Sequence, residues 1–310
     1  MALACLLGAV IRIVYVQRYP AAGDWFPGGD GLDYHLMAKR LANGEGYVDG
    51  FAGVTPNAHH PPGWVTFLAG MVKLGFDTVI SQQRVGIVIG VVLIAVIGIV
   101  TTQIFDGTTA VIAAFLAAVY PGFWVLDAQL LSEPLALVLL GVAVLLLVRL
   151  AAAPTASLAV MLGLVLGLAI LTRSELLTML VIVVPLALRQ ANTVDRATRI
   201  RLGALVAAIS VAMLVPWAAY NAGRFQEPVL ISSNLGTTLL AGNCKTFSGE
   251  SLGFSTSHAC SPSPSRTPEA TARRSTAWPE ARRSATWATT CRGSRRRWRL
   301  VWGEPWVCSG

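Results

Sequence analysis

Three uninterrupted apolar runs limit what this chain can fold into: VGIVIGVVLIAVIGIV over residues 85–100, LALVLLGVAVLLLV over 135–148 and LGALVAAISVAMLVPWAA over 202–219. Runs approaching ~20 apolar residues match ~30 Å of hydrocarbon at ~1.5 Å rise per residue. Inside lipid each backbone N–H and C=O has to be paired within its own segment, which makes such runs helices. Composition agrees: 54% of the 310 residues are hydrophobic and only 13% charged, too few polar groups to face water all round. The expected fold is an all-α integral membrane protein with about seven transmembrane helices, plus juxtamembrane helices in a long first outer loop. A soluble α-protein with an unusually apolar core is the alternative. The net charge of +8 does not argue for a nucleic-acid partner, because residues 261–310 carry +7 of it and residues 1–260 only +1.

The pattern places spans near residues 2–19, 84–105, 108–126, 134–150, 157–172, 175–189 and 202–220. The first resembles a signal peptide but lacks a basic leading region and holds Arg12, so it reads as a retained helix. The stretch 62–76, PGWVTFLAGMVKLGF, decides the topology. Its apolar part is about 14 residues long and contains Lys73, which fits an interfacial or re-entrant helix better than a span. Arg149, Arg189, Arg196, Arg199 and Arg201 then share one side, the cytoplasm by the positive-inside rule. The first outer loop (20–83), the turn around Asp127–Glu133, the tip Thr172–Glu175 and everything after 220 share the other. Ionisable groups at membrane depth are costly, so a cluster of them is a functional-site hypothesis by default.

Several residues on that outer side could carry chemistry. Asp30 and Asp33 are three apart at the start of a predicted helix and share a face, with Tyr34 four on from Asp30. Asp30 reads either as an N-cap or as a catalytic carboxylate. His59 and His60 precede Pro61–Pro62, which fix an extended entry into the short helix. The pair is a candidate phosphate binder, a metal site, or an ordinary loop; without a nearby Cys or third His, metal is the weaker choice. Glu133 follows Ser132 at the mouth of a span, either as part of a helix cap or as a carboxylate facing the first loop. Arg173 lies between two apolar spans, where its five donors and fixed charge suit an anion. The Gly/Ser/Asn/Thr-rich loop after residue 220 could bind sugar hydroxyls or phosphate, or be structural. Cys244 and Cys260 in that loop are candidates for a disulfide, whereas Cys5 sits in a span.

In order, DGLDYHLMA (30–38), HHPPGW (59–64), SEP (132–134), GLAILTR (167–173) and PW…N…SSNLGTTLLAGN (216–243) resemble the C-type (GT-C) membrane glycosyltransferases. The resemblance covers about residues 1–260 and is nearest the family-39 branch, which includes protein O-mannosyltransferases and lipid A aminoarabinose transferases. It implies a hexosyl or pentosyl transfer, with inversion, from a polyprenyl-phosphate donor to a glycan, lipid or protein acceptor outside a plasma (inner) membrane. Asp30 would match the family's general base, with Glu133 as the acidic residue of the second outer loop. The next position is often Glu in relatives and is Gly31 here, with Asp33 as the substitute second carboxylate. His59, His60, Arg173, Asn221, Asn234 and Asn243 would match the donor and lipid-phosphate side. Relatives often carry Arg-Asn after the Pro-Trp span, whereas here Tyr220 precedes Asn221. The resemblance fixes no cofactor and leaves a divalent metal open. A non-catalytic or transport-type membrane protein is the competing class, though transporters place charges in mid-span and repeat their halves.

Residues 261–310 stand apart. They contain no Asp, Asn, Gln, Lys, His, Ile, Met, Phe or Tyr, yet hold five of the chain's nine Trp and five Arg within Arg292–Arg299. Disordered tails avoid Trp, and such vocabulary is what a GC-rich gene yields when read out of frame. The expectation is a frame shift near residue 260 that costs the family's remaining C-terminal spans and outer domain, so that the chain is truncated and its activity is in question. A basic tail on anionic lipid headgroups is the alternative. The expected organisation is a polytopic domain over 1–243, an outer-loop remnant over 244–260 and an aberrant tail over 261–310.

Overall fold

Among the residues that a computed structural model describes (1–18, 29–53, 55–189 and 193–234), every regular element is helical. α1 (Ala2–Arg18) leads to two short helices, α2 (Asp30–Ala42) and α3 (Pro62–Lys73). α4 (Val79–Ile104), α5 (Gly107–Val119), α6 (Pro121–Ala128), α7 (Glu133–Ala152) and α8 (Ala156–Thr172) follow. Ser174–Leu188 is one irregular segment ending in α9 (Val184–Leu188), and α10 (Arg196–Ala222) closes the described bundle. Asn243, Cys244, Cys260 and the 261–310 tail lie outside the described residues.

Short polar side chains start the long apolar helices where their first N–H groups need acceptors. Thr78 and Ser81 form a capping box on α4. Asp106 accepts from Thr109 N at 2.9 Å, Thr155 from Leu158 N at 3.3 Å, and Asp195 from Thr198 N at 3.3 Å. α4 and α10 therefore begin earlier than hydropathy alone indicates, at Val79 and Arg196, because polar first turns belong to the helix. Two expected spans are not straight. Pro121 lacks the N–H to continue α5, and α5 and α6 meet at 49°. The 174–188 segment passes from a 3-10 turn through a π turn at Met179–Val183 before α9, with Pro185 in its last turns.

Packing follows the small and branched residues. Gly163 and Gly167 of α8 bring it against Val206–Met213 of α10, where Ser210 Oγ donates to Gly163 O at 3.0 Å. Leu146, Leu150, Leu162, Ile170, Leu188 and Val206 complete that core. Ala4, Ile94, Ala114 and Ala118 join α1, α4 and α5. Meanwhile Leu3, Val88, Leu116 and Val181 are 70, 62, 63 and 64% exposed, an apolar exterior that suits lipid rather than water. α4, α7 and α10 are each long and apolar enough to cross a membrane, and the bent α5–α6 pair makes a fourth candidate. α8 and Ser174–Leu188 are shorter apolar helices.

α3 is different. Its 12 residues reach ~18 Å, too little to cross. Instead it packs Trp64, Val65 and Leu68 against Tyr34, Met37 and Ala38 of α2, with Ile89 of α4 beneath. This pair sits on the ends of the longer helices and carries the site.

Candidate active site

α2 opens after Gly29, whose backbone is extended and whose carbonyl accepts from Leu32 and Asp33 N–H. Gly29 is thus the N-cap, with no side-chain capping bond, and the capping role open to Asp30 is not used. The Asp30 carboxylate is exposed at the first helical position and accepts no hydrogen bond among the described residues. Asp33, one turn on, is tied down: Oδ1 accepts from Gly50 N at 3.2 Å and Oδ2 lies 3.9 Å from His60 Nε2. Burial, then the charge of Asp49, raises the Asp33 pKa above the ordinary carboxylate value.

His60 is buried behind Tyr34, whose Oη is 3.0 Å from His60 Nδ1. Burial, then the adjoining His59, pulls the His60 pKa down to about 4, so at neutral pH the ring is an uncharged hydrogen-bonding group. His59 N donates to Asn57 Oδ1 at 2.7 Å, and its ring meets His60 edge-on at 4.8 Å. Pro61 and Pro62 then turn the chain into α3. Gly63 faces Leu171 O and Thr172 Oγ1 so closely that a Cβ there would stand 2.8 and 2.7 Å from them, which brings the head of α3 to the end of α8.

The end of α8 presents Arg173. Its Nη1 is 2.5 Å from Glu133 Oε1 and its Nη2 2.6 Å from Glu175 Oε1. Nη1 also donates to Ser132 Oγ at 3.4 Å. Ser132 occupies the N-cap of α7 but makes no side-chain capping bond; its hydroxyl is spent on Arg173 and faces the Tyr34 hydroxyl. One contiguous cluster results: Asp30, Asp33, Tyr34, His59 and His60 from the first loop, Ser132 and Glu133 at the start of α7, and Arg173 just past α8.

The turn that delivers Ser132 and Glu133 is fastened from three sides. Trp64 Nε1 donates to Leu130 O and Gln83 Nε2 to Ala128 O, each at 2.8 Å. Arg12 Nε pairs with Asp127 Oδ2 at 2.5 Å, wholly buried, in a notch on α4 where a Cβ at Gly86 or Gly90 would collide with Asp127. Leu130 bears the conformational cost, with φ of 56°. The isolated Arg12 was visible in the sequence; its partner, 115 residues away, was not.

Asn221 is fully buried at the end of α10, where its Oδ1 accepts from Arg224 Nη1 at 3.0 Å. It makes no hydrogen bond to the carboxylate–histidine cluster. Asn234 follows Ser233, whose N–H donates to Ala58 O at 2.8 Å, so the segment after α10 returns beside His59. Arg224 was not singled out from sequence, although a cation just past the last apolar run was its signal. Among the described residues no three His, Cys, Asp or Glu converge as metal ligands.

Comparison with known proteins adds a family. A family model described as dolichyl-phosphate-mannose-protein mannosyltransferase matches residues 59–220. No individually curated protein matches the chain. Among solved structures, it is similar to the crystal structure of the Archaeoglobus fulgidus oligosaccharyltransferase in the apo form, at 20% identity and a TM-score of 0.56. The likeness covers 78% of this chain but only 32% of that one, so the chain spans about a third of the length of that protein, and at this identity the likeness concerns the fold.

Proposed function

The chain belongs to the dolichyl-phosphate-mannose-protein mannosyltransferase family, and on that premise we propose that it is a multi-pass membrane glycosyltransferase. It moves a hexose or pentose from a polyprenyl-phosphate donor onto a hydroxyl of a glycan, lipid or protein acceptor at the extracytoplasmic face of the plasma (inner) membrane. The supporting observation is the meeting of Asp30, Asp33 and His60 with Glu133 and Arg173 at one end of the bundle. In the reaction, the acceptor oxygen bonds to the anomeric carbon while the bond from that carbon to the phosphate oxygen breaks. The acceptor proton passes to a carboxylate, and the electron pair leaves with the polyprenyl phosphate.

Asp30 is the better base of the two aspartates, because its carboxylate is exposed and accepts no hydrogen bond among the described residues, while Asp33 already accepts from Gly50. Asp33 and Glu133 orient the first loop and Arg173. His59, His60 and Arg173 face the donor side, with neutral His60 offering a hydrogen bond rather than a charge. Asn221, Asn234 and Asn243 are assigned to donor binding, and Cys244 and Cys260 remain disulfide candidates.

Membranes bearing the full chain, incubated with radiolabelled polyprenyl-phosphate sugars, test this. Asp30→Asn should lower transfer by about 100-fold or more, the scale of a lost general base, with membrane insertion unchanged. Retained transfer removes Asp30 from that role.

A further inference from the structure

Arg173, the guanidinium that sequence marks out, is already neutralised. Glu133 and Glu175 both close on it, leaving a local charge of −1 before any phosphate arrives. At the same end of the bundle lies a second guanidinium in the opposite situation. Arg224, two residues past α10, is half-buried and has no carboxylate within 4.0 Å among the described residues. Its Cζ stands 4.4 Å from the Tyr220 ring centroid and 5.3 Å from that of Phe225. Nη1 donates to Asn221 Oδ1 at 3.0 Å, and Nη2 donates to the Tyr47 carbonyl. These bonds fix the plane of the fork and occupy two of its five donors.

Asn221 supplies an independent observation. It is 0% exposed, and while its oxygen is used by Arg224, its Nδ2 has no acceptor among the described residues. A buried amide without an acceptor costs about 1–3 kcal/mol, and a half-desolvated cation without a counter-ion is also unfavourable. Both penalties vanish if one oxyanion sits across Arg224 and Asn221. The surroundings say where that anion comes from. Trp217 and Tyr220 stack at 5.7 Å, and Tyr47 meets Trp217 edge-on at 4.7 Å, a group of amphipathic rings of the kind found at headgroup level. The Tyr47 carbonyl that holds Arg224 also accepts from Asn57 N at 3.1 Å, two residues before His59.

We propose that Arg224 and Asn221 form a seat for a lipid-borne phosphate beside the carboxylate–histidine cluster. That this phosphate is the donor's rests on the transferase reading above; a phospholipid headgroup shares its chemistry. Among the described residues Arg224 carries a charge that no carboxylate offsets, unlike Arg173, and its planar fork suits two phosphate oxygens at once.

The full chain in phosphatidylcholine nanodiscs, titrated with a polyprenyl monophosphate and separately with phosphatidylglycerol, tests the seat. Arg224→Gln should weaken polyprenyl-phosphate binding by about tenfold or more, and Arg224→Lys by less. In the unmutated chain, bound polyprenyl phosphate should protect Arg224 from phenylglyoxal, read by peptide mass spectrometry, which needs no variant to fold. Unchanged affinity in Arg224→Gln, or undiminished modification of Arg224, overturns the seat while leaving the transferase reading standing. Equal Arg224-dependent binding of phosphatidylglycerol supports the seat and removes the donor assignment. Binding of neither lipid overturns both.

Discussion

Burial and the neighbouring His59 ring hold the His60 pKa near 4, against an ordinary value of 6.5, with Tyr34 bonded to its Nδ1. Between those values an unfolded chain takes up a proton that the folded one refuses. Stability is therefore full above about pH 6.5 and falls as pH drops toward 4, by on the order of 3 kcal/mol. Thermal unfolding in detergent from pH 7 to 4.5 should show a falling midpoint, and His60→Gln should flatten that fall; an equally steep fall in the variant contradicts a neutral, buried His60. The same residue shows what was legible in the sequence. HHPP marked a histidine at the head of a short helix, but its charge state depends on burial under α2 and on Tyr34, which no local pattern encodes. Asp30 was legible as a carboxylate at a helix start; that Gly29 relieves it of capping required the backbone.

Among the elements, the turn Asp127–Ser132 joins the membrane core to the site. Arg12, Gln83 and Trp64 hold it, and it presents Ser132 and Glu133 to Arg173. Removing one half of the buried pair leaves the other unpaired in an apolar surround, at a cost of about 3–5 kcal/mol, whereas removing both costs far less. Arg12→Met alone should accordingly lower the unfolding midpoint more than Arg12→Met combined with Asp127→Leu. A double variant less stable than the single one contradicts the pairing. Apolar runs announced these helices but not their breaks. Pro121 was a visible cause of the α5–α6 bend, yet a run of apolar residues reads alike whether straight or bent at 49°. Likewise the Gly86 and Gly90 notch acquires meaning only once Asp127 lies in it.

At the scale of the molecule, the membrane character and the order of helices followed from composition and hydropathy, because lipid leaves the backbone few choices. The meeting of distant loops did not; it depends on α3 staying on the bundle end instead of adding a crossing. With α3 not crossing, the seven-span topology we propose would put the first loop, the α6–α7 turn, the Arg173 tip and the segment after α10 on one side. It would put the connections after α4, after α7 and before α10 on the other. We take the first side as extracytoplasmic, since Arg149, Arg189, Arg196, Arg199 and Arg201 mark the second. Single cysteines placed in a chain whose five native cysteines are serine, and labelled in intact cells with a membrane-impermeant maleimide, test this most directly. Cysteines at Glu45 and Glu175 should react from outside, and those at Gly107 and Ala153 only after permeabilisation. Labelling of positions 45 and 175 from opposite sides would separate Asp30 from Arg173 and contradict a shared site.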